Sequence, residues 1–183
     1  MKSTSKNVTF ALALVLSFHV RAQEVQPMLG ELAPAFALHA VDGKIYSLEQ
    51  LKGNYIVIHF AATWCPFCNA EGPNLEQLYK EYKDRGVQVF VVDVMEGKEL
   101  VERSFKRFNF SFPVLLDTDG KVSASYAPEK VQPDLARHEV PIASNLIIDK
   151  EGNIRFYSLL NTAAFDAKLL KLKEKLNDLL ASQ

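Results

Sequence analysis

The two cysteines of this 183-residue chain stand three positions apart, in the run Thr63-Trp64-Cys65-Pro66-Phe67-Cys68-Asn69-Ala70-Glu71-Gly72-Pro73. Such a pair can be a covalent staple, two ligands of a soft metal, or a dithiol that cycles with its disulfide. A staple closing so short a loop removes little entropy from the unfolded chain, and a chain of this length can build a core without one. A closed zinc site takes four nitrogen or sulfur ligands. Beyond residue 22 only His39, His59 and His138 could add to the two thiolates, and they show no ligand spacing. Copper-delivery domains of similar architecture space their thiols as CxxxC with a partner histidine, whereas the spacing here is CxxC. Exchange with a partner's disulfide needs the two sulfurs alone. The expectation is therefore no metal and no cofactor beyond a redox-active Cys65–Cys68 disulfide.

The flanking elements say where the sulfurs lie. Tyr55-Ile56-Val57-Ile58-His59-Phe60 is almost unbroken apolar sequence, the pattern of a strand covered on both faces. Pro66 suits the first turn of a helix, and Leu75, Leu78, Tyr79 and Tyr82 follow at helical spacing. Cys65 thus falls at a helix N-terminus, where free N–H groups and the helix dipole stabilise an anion. A thiolate placed there has a lowered pKa and is the attacking species in exchange. Cys68, one turn further on and expected to be more buried, is placed to displace the partner from the mixed disulfide.

The remaining chain supplies the scaffold. Ala35–His39 and Lys44–Ser47 around Val41-Asp42-Gly43 predict a hairpin, and Ser47 with Gln50 then Gly53 brackets a short helix. A second central strand is expected at Val87–Val94 after Gly86. An amphipathic helix follows at Glu99–Phe108, then a strand at Phe112–Leu116 closed by the turn Asp117–Gly120. A late hairpin, Asn145–Asp149 with Ile154–Leu160, precedes a last helix carrying Phe165, Leu169, Leu172, Leu176 and Leu179. Strand, helix, strand, helix, hairpin and helix describe an α/β sandwich with a mixed central sheet. Ala127–Pro141, polar and holding three of the eight prolines, is long for an internal connection.

Compartment and charge narrow the partners. Lys2 and Lys6, the apolar run Val8–Phe18 and small residues up to Ala22 form a secretory signal pattern, with cleavage expected near Ala22. The apolar run is shorter than the ~20 residues that span a bilayer. Removing residues 1–22 takes away Lys2, Lys6 and Arg21 and moves the net charge from −1 to −4. This mild acidity argues against a nucleic acid or an anionic membrane as partner. The expected product is a soluble periplasmic or otherwise exported monomer of one domain.

On FAATWCPFCNAEGP, together with GELAPAFAL, DGK and SLEQLKG before it and FPVLLDTDGKV and SNLIIDKEGNI after it, the chain resembles TlpA/ResA-type thiol–disulfide oxidoreductases of the AhpC/TSA–redoxin superfamily. The resemblance covers nearly all of residues 23–183. It implies a thioredoxin-like fold, a mixed central sheet flanked by helices with an N-terminal β-hairpin extension. It also implies exchange with protein thiols and disulfides, in the reducing direction, with a membrane thiol-transfer protein as a possible electron donor. Reduction of the haem-attachment cysteines of an apocytochrome is one role within the family. Glu71 matches the family's acidic residue three positions after the second cysteine, expected to exchange a proton with Cys68. His59 stands where ordinary thioredoxins carry a buried acid beneath the second cysteine, and could assist the same transfer. Trp64, Pro66 and Phe67, with Val140 and Pro141 of the loop opposite, are the expected substrate contacts.

Three departures keep other readings open. Proline comes first between the cysteines, the order of glutaredoxin-like and DsbA-like motifs, which allows an oxidant or isomerase. Val140-Pro141 lies about two residues early for the fold's cis-proline, so that Ala143 can occupy the position instead. Ala127–His138 reads as an insertion beside that loop, expected to shape partner choice. A peroxidase would place Thr or Ser three residues before the reactive cysteine and Pro four before that, where this chain has Ala62 and Ile58. A thiol protein that only binds metal or a partner is the remaining alternative.

Overall fold

The computed structural model describes residues 28–127 and 142–182. The leader 1–22, the candidate loop residues Val140 and Pro141, and all but Ala127 of the insertion lie outside the described residues.

The first hairpin pairs β1 (Ala37–Ala40) with β2 (Ile45–Ser47). Ser47 closes the expected capping box with Gln50 at the start of the short helix α1 (Leu48–Leu51). β3 (Tyr55–Ala61) leads into the 17-residue helix α2 (Pro66–Tyr82), and β4 (Val87–Val94) into α3 (Lys98–Phe105), with 3₁₀ turns after both helices. β5 (Val114–Asp117) precedes a helical turn, α4 (Lys121–Ser125). β6 (Ser144–Ile148) and β7 (Ile154–Ser158) form the late hairpin before α5 (Leu170–Ala181). The sheet order is β2-β1-β5-β4-β3-β6-β7. β3, β4 and β5 run parallel, while β6 and β1 lie antiparallel on either side of them. This is a thioredoxin-like mixed sheet flanked by helices, with the β1–β2 hairpin added at one edge.

Every residue of β3 is buried, and alternate side chains serve two cores. Val57 and Ala61 join Val89 and Val91 of β4 against Leu75 and Leu78 of α2, Val101 of α3 and Leu172 and Leu176 of α5. Ile56, Ile58 and Phe60 meet Phe90, Val92, Leu48 and Tyr126 on the opposite face. Each fully buried aliphatic side chain contributes about 1.5–3 kcal/mol. β3 is therefore held from both sides up to its end, where the cysteines follow.

Two expectations are corrected. The last helix begins at Leu170, not at Phe165: Leu169 has φ +57°, and Asp166 accepts the N–H of Lys171. The leucine spacing marks burial correctly, since Leu169, Leu172, Leu176 and Leu179 are in the core, but Phe165 packs edge-on against Phe67 with ring centroids 4.9 Å apart. The strand expected from Phe112 begins at Val114, because Ser111, immediately before Phe112, is tied to α2 through both oxygens of Glu76.

Candidate active site

Cys65 is the N-cap of α2 and Pro66 its first residue, as the N-terminal proline preference requires. The Cys65 and Cys68 sulfurs are joined as a disulfide, and Cys65 Sγ accepts the Cys68 N–H at 3.2 Å. The cap bond aims a backbone dipole at the Cys65 sulfur, an arrangement that favours a thiolate. The expectation that Cys68 is the more buried of the two is not met: the residues are 3% and 4% exposed. Both belong to the core cluster on the α2 side of the sheet, which also contains Ala143. Ala143 has φ +58°, and its N–H donates to the Phe60 carbonyl at 2.8 Å, which fixes the start of β6 against the end of β3. No peptide bond among the described residues is cis.

Around this buried pair the surface is apolar and uneven. Trp64 is 69% exposed, Pro66 is exposed, and Phe67 is half-buried by its contact with Phe165. Trp64 and Pro66 are open to a partner, whereas part of the Phe67 ring is already committed to the protein.

The proton-carrying residues come together from three elements. Glu71, one helical turn beyond Cys68 on α2, is 3% exposed, and His59 on β3 is 1% exposed. Asn145, the register partner of His59 across the β3–β6 ladder, bridges them. Its Nδ2 donates to Glu71 Oε1 at 3.1 Å, which turns its Oδ1 toward His59 Nδ1 at 3.0 Å. The imidazole therefore carries its proton on Nδ1, and Nε2 is left without a hydrogen-bond partner among the described residues. Burial pushes His59 down to about 4, only partly offset by its bonds to Asn145 and the Ser144 backbone. Burial pushes Glu71 up to about 8, against the Asn145 bond and helped by the negative charge of Asp166. Near neutral pH both are uncharged. Glu71 and Asn145 also border a cavity of about 50 Å³ with polar walls at Ser158, Asn161 and Asp166, room for a few waters.

His39 stands on β1, separated from β3 by β5 and β4, and is not part of the site. No group of three His, Cys, Asp or Glu residues among the described residues could hold a metal ion. The Cys65–Cys68 disulfide is the redox centre present. Asn145 was missed at the sequence level, although a polar amide directly before the apolar run Leu146-Ile147-Ile148 of a buried strand is a readable signal.

A disulfide at the N-terminus of the helix that follows the central strand, in a thioredoxin-like sheet, is the working part of a thiol–disulfide oxidoreductase. The chain belongs to the AhpC/TSA family, whose profile matches residues 29–157. It is 29% identical over 133 residues to the thiol-disulfide oxidoreductase ResA of Bacillus cereus, covering 73% of this chain and 70% of that one. To ResA of Bacillus subtilis it is 34% identical over 125 residues, covering 68% and 64%. The thioredoxin domain of a thiol-disulfide oxidoreductase from Bacteroides vulgatus has the same fold, with a TM-score of 0.63 at 23% identity over 80% of this chain and 96% of that one. The chemistry of the pair is thiol–disulfide exchange. No helix among the described residues is long and apolar enough to cross a membrane.

Proposed function

We propose that the protein is an exported reductant of protein disulfides, with Cys65 as nucleophile, Cys68 as resolving thiol and Glu71 as the group that takes and returns the Cys68 proton. In the reduced enzyme the Cys65 thiolate attacks one sulfur of the substrate disulfide, forming a mixed disulfide and releasing the other sulfur as a thiolate. Once Glu71 is ionised, Cys68 gives its proton to it and attacks Cys65 Sγ. The Cys65–Cys68 disulfide forms, and the second substrate sulfur leaves and takes up a proton. Two electrons pass to the substrate, so a thiol donor must reduce the pair again, and a membrane thiol-transfer protein fits that need.

The observation that carries this reading is the burial of Glu71 beside Asn145, one turn from Cys68. A carboxyl pushed up to about 8 is poised to exchange a proton with a thiol. The signal pattern of residues 1–22 supports export, and exposed Trp64 and Pro66 beside Cys65 suit a protein substrate held by a monomeric enzyme. The loop of Val140 and Pro141 is assigned to substrate contact on the family resemblance.

A second reading, oxidant or isomerase, rests on the Cys68 N–H held by Cys65 Sγ behind Pro66. Stabilising the thiolate favours the reduced form and makes the disulfide more oxidising. The equilibrium reduction potential in a thiol buffer decides between them. A value at or below roughly −250 mV is expected for the reductant, and one between about −120 and −180 mV overturns it in favour of the oxidant.

A further inference from the structure

Asp93 stands in β4 on the core-facing side occupied by Val89 and Val91, is 0% exposed, and plays no part in the exchange chemistry described above. Neither of its carboxyl oxygens has a hydrogen-bond partner of ordinary kind among the described residues. The group that acts on Asp93, by its charge and as a side-chain hydrogen-bonding partner, is Glu96, another acid three positions along the chain. Two carboxylates in contact cannot both be ionised at modest cost, and one proton shared between them removes the conflict.

The proton has one consistent place. Glu96 already accepts twice from a single residue, the Thr63 N–H at 2.5 Å on Oε2 and the Thr63 hydroxyl at 2.7 Å on Oε1. Glu96 is thus the acceptor-only, ionised member, and Asp93 is the donor. The third polar group of Thr63, its carbonyl, accepts from Asn69 Nδ2 at 3.2 Å, and Asn69 Oδ1 in turn accepts from Arg107 at 2.7 Å. Every backbone and side-chain polar group of Thr63 is therefore held, two residues before Cys65 and two after Ala61, the register partner of Asp93.

We propose that Asp93 is a positioning residue: its proton, donated to Glu96, locks the Glu96–Thr63 clamp that sets the path of the Trp64–Cys65 segment at the mouth of the active site. The consequence for Cys65 rests on the reading of Cys65 as nucleophile; the clamp itself does not. Burial and the charge of Glu96 push Asp93 up to about 8. Glu96 is the one charged group among the described residues acting on it, since the neighbours Ala61 of β3 and Leu116 of β5 carry none. Loss of the proton leaves two negative charges in contact. Glu96, half-buried, is the member free to turn outward, and Thr63 is then released.

The test is an NMR titration of the reduced full-length protein, following the Thr63 amide proton and, in parallel, the fluorescence of Trp64, the chain's single tryptophan. An amide bonded to a carboxylate lies far downfield. It is expected to move upfield with a midpoint near the Asp93 value of about 8, with Trp64 emission changing together with it. In Asp93→Asn the amide still donates to Glu96 and cannot ionise, so both signals should stay level, and the alkaline loss of Cys65 attack rate, on the order of tenfold after correction for thiolate fraction, should vanish. Glu96→Gln removes the anion and should leave Thr63 without its downfield shift at any pH. A Thr63 amide that does not titrate in the wild type, or that titrates unchanged in Asp93→Asn, overturns the proposal. If the clamp titrates as stated while the protein reduces no disulfide, the clamp stands and the proposed function falls.

Discussion

His59 Nδ1 lies 3.3 Å from Glu71 Oε2, with both side chains closed to solvent, and the pair is uncharged near neutral pH. Burial acts on the two groups in opposite senses, lowering the base to about 4 and raising the acid to about 8. The contact is thus a proton reservoir and not a salt bridge. In an NMR titration His59 should stay neutral down to about pH 4, and the Glu71 carboxyl should titrate near 8. A His59 midpoint above 6.5 together with a Glu71 midpoint below 4.5 would show that an ion pair forms instead.

These shifts set how stability varies with pH. Glu71 binds its proton more tightly folded than unfolded, so its contribution falls as pH rises from 4.5 towards about 8. Asp93 behaves alike from 3.8 to about 8. His59 is the reverse: folded it resists protonation, so stability is lost as pH falls from 6.5 to about 4. Below 6.5 His59 therefore opposes the two acids and the profile flattens. Between 6.5 and 8 only the acids act, each with a slope of up to about 1.4 kcal/mol per pH unit. Urea unfolding across this range should show stability falling with pH, and Glu71→Gln or Asp93→Asn should each remove part of that slope.

Replacing Glu71 by Gln keeps the shape and removes the proton acceptor. Resolution of the mixed disulfide by Cys68 should slow on the order of 100-fold, while its formation by Cys65 is little changed. In the wild type the resolving rate should climb as Glu71 ionises, to a plateau above about pH 8. Rapid acid quenching of the mixed disulfide measures both steps, and equal slowing of the two would leave Glu71 with no role specific to Cys68.

Much of this was legible in the sequence because the signals were local. The buried run of β3, Pro66 at N1 and the capping box at Ser47 each fix an element with a few residues. Glu71 and His59 were singled out through the family resemblance, by matching their positions relative to the two cysteines. What could not be read depends on contacts far apart in the chain. Asn145 acts on Glu71 across 74 positions, and Glu96 holds Thr63 across 33. The start of the last helix was misread because Leu169 satisfies the apolar spacing from a left-handed conformation. α4 escaped because one turn has no periodicity; it forms where Asp117 accepts the N–H groups of Val122 and Ser123.

Asn145→Ala breaks both halves of the bridge at once. It leaves the buried Glu71 Oε1 and His59 Nδ1 without that partner, a loss of about 1–3 kcal/mol per stranded group. Since the Asn145 bond lowers the Glu71 pKa, its removal should move the carboxyl further up. The plateau of the resolving step should shift to higher pH with it. A resolving-step profile that stays in place would separate Asn145 from the proton chemistry and leave it a structural residue.

Gly72, one residue past Glu71, sets how closely α2 can lie against the 3₁₀ turn Lys106–Phe108. A Cβ there would stand 2.8 Å from Cε1 and 2.9 Å from Cδ1 of Phe108. That ring has little room to retreat: it stacks on Phe110 at 5.2 Å and carries Arg107 over its face at 4.7 Å. Alanine gains about 1 kcal/mol of helix propensity over glycine, but overpacking a fixed ring costs about 1–3 kcal/mol. Gly72→Ala is therefore expected to lower the unfolding free energy by up to about 2 kcal/mol. In a Phe108→Ala background the obstruction is gone, so the same change should stabilise the protein by up to about 1 kcal/mol. Denaturant unfolding of the four proteins in this cycle measures both values. If Gly72→Ala stabilises in both backgrounds, the close approach to Phe108 does not constrain α2.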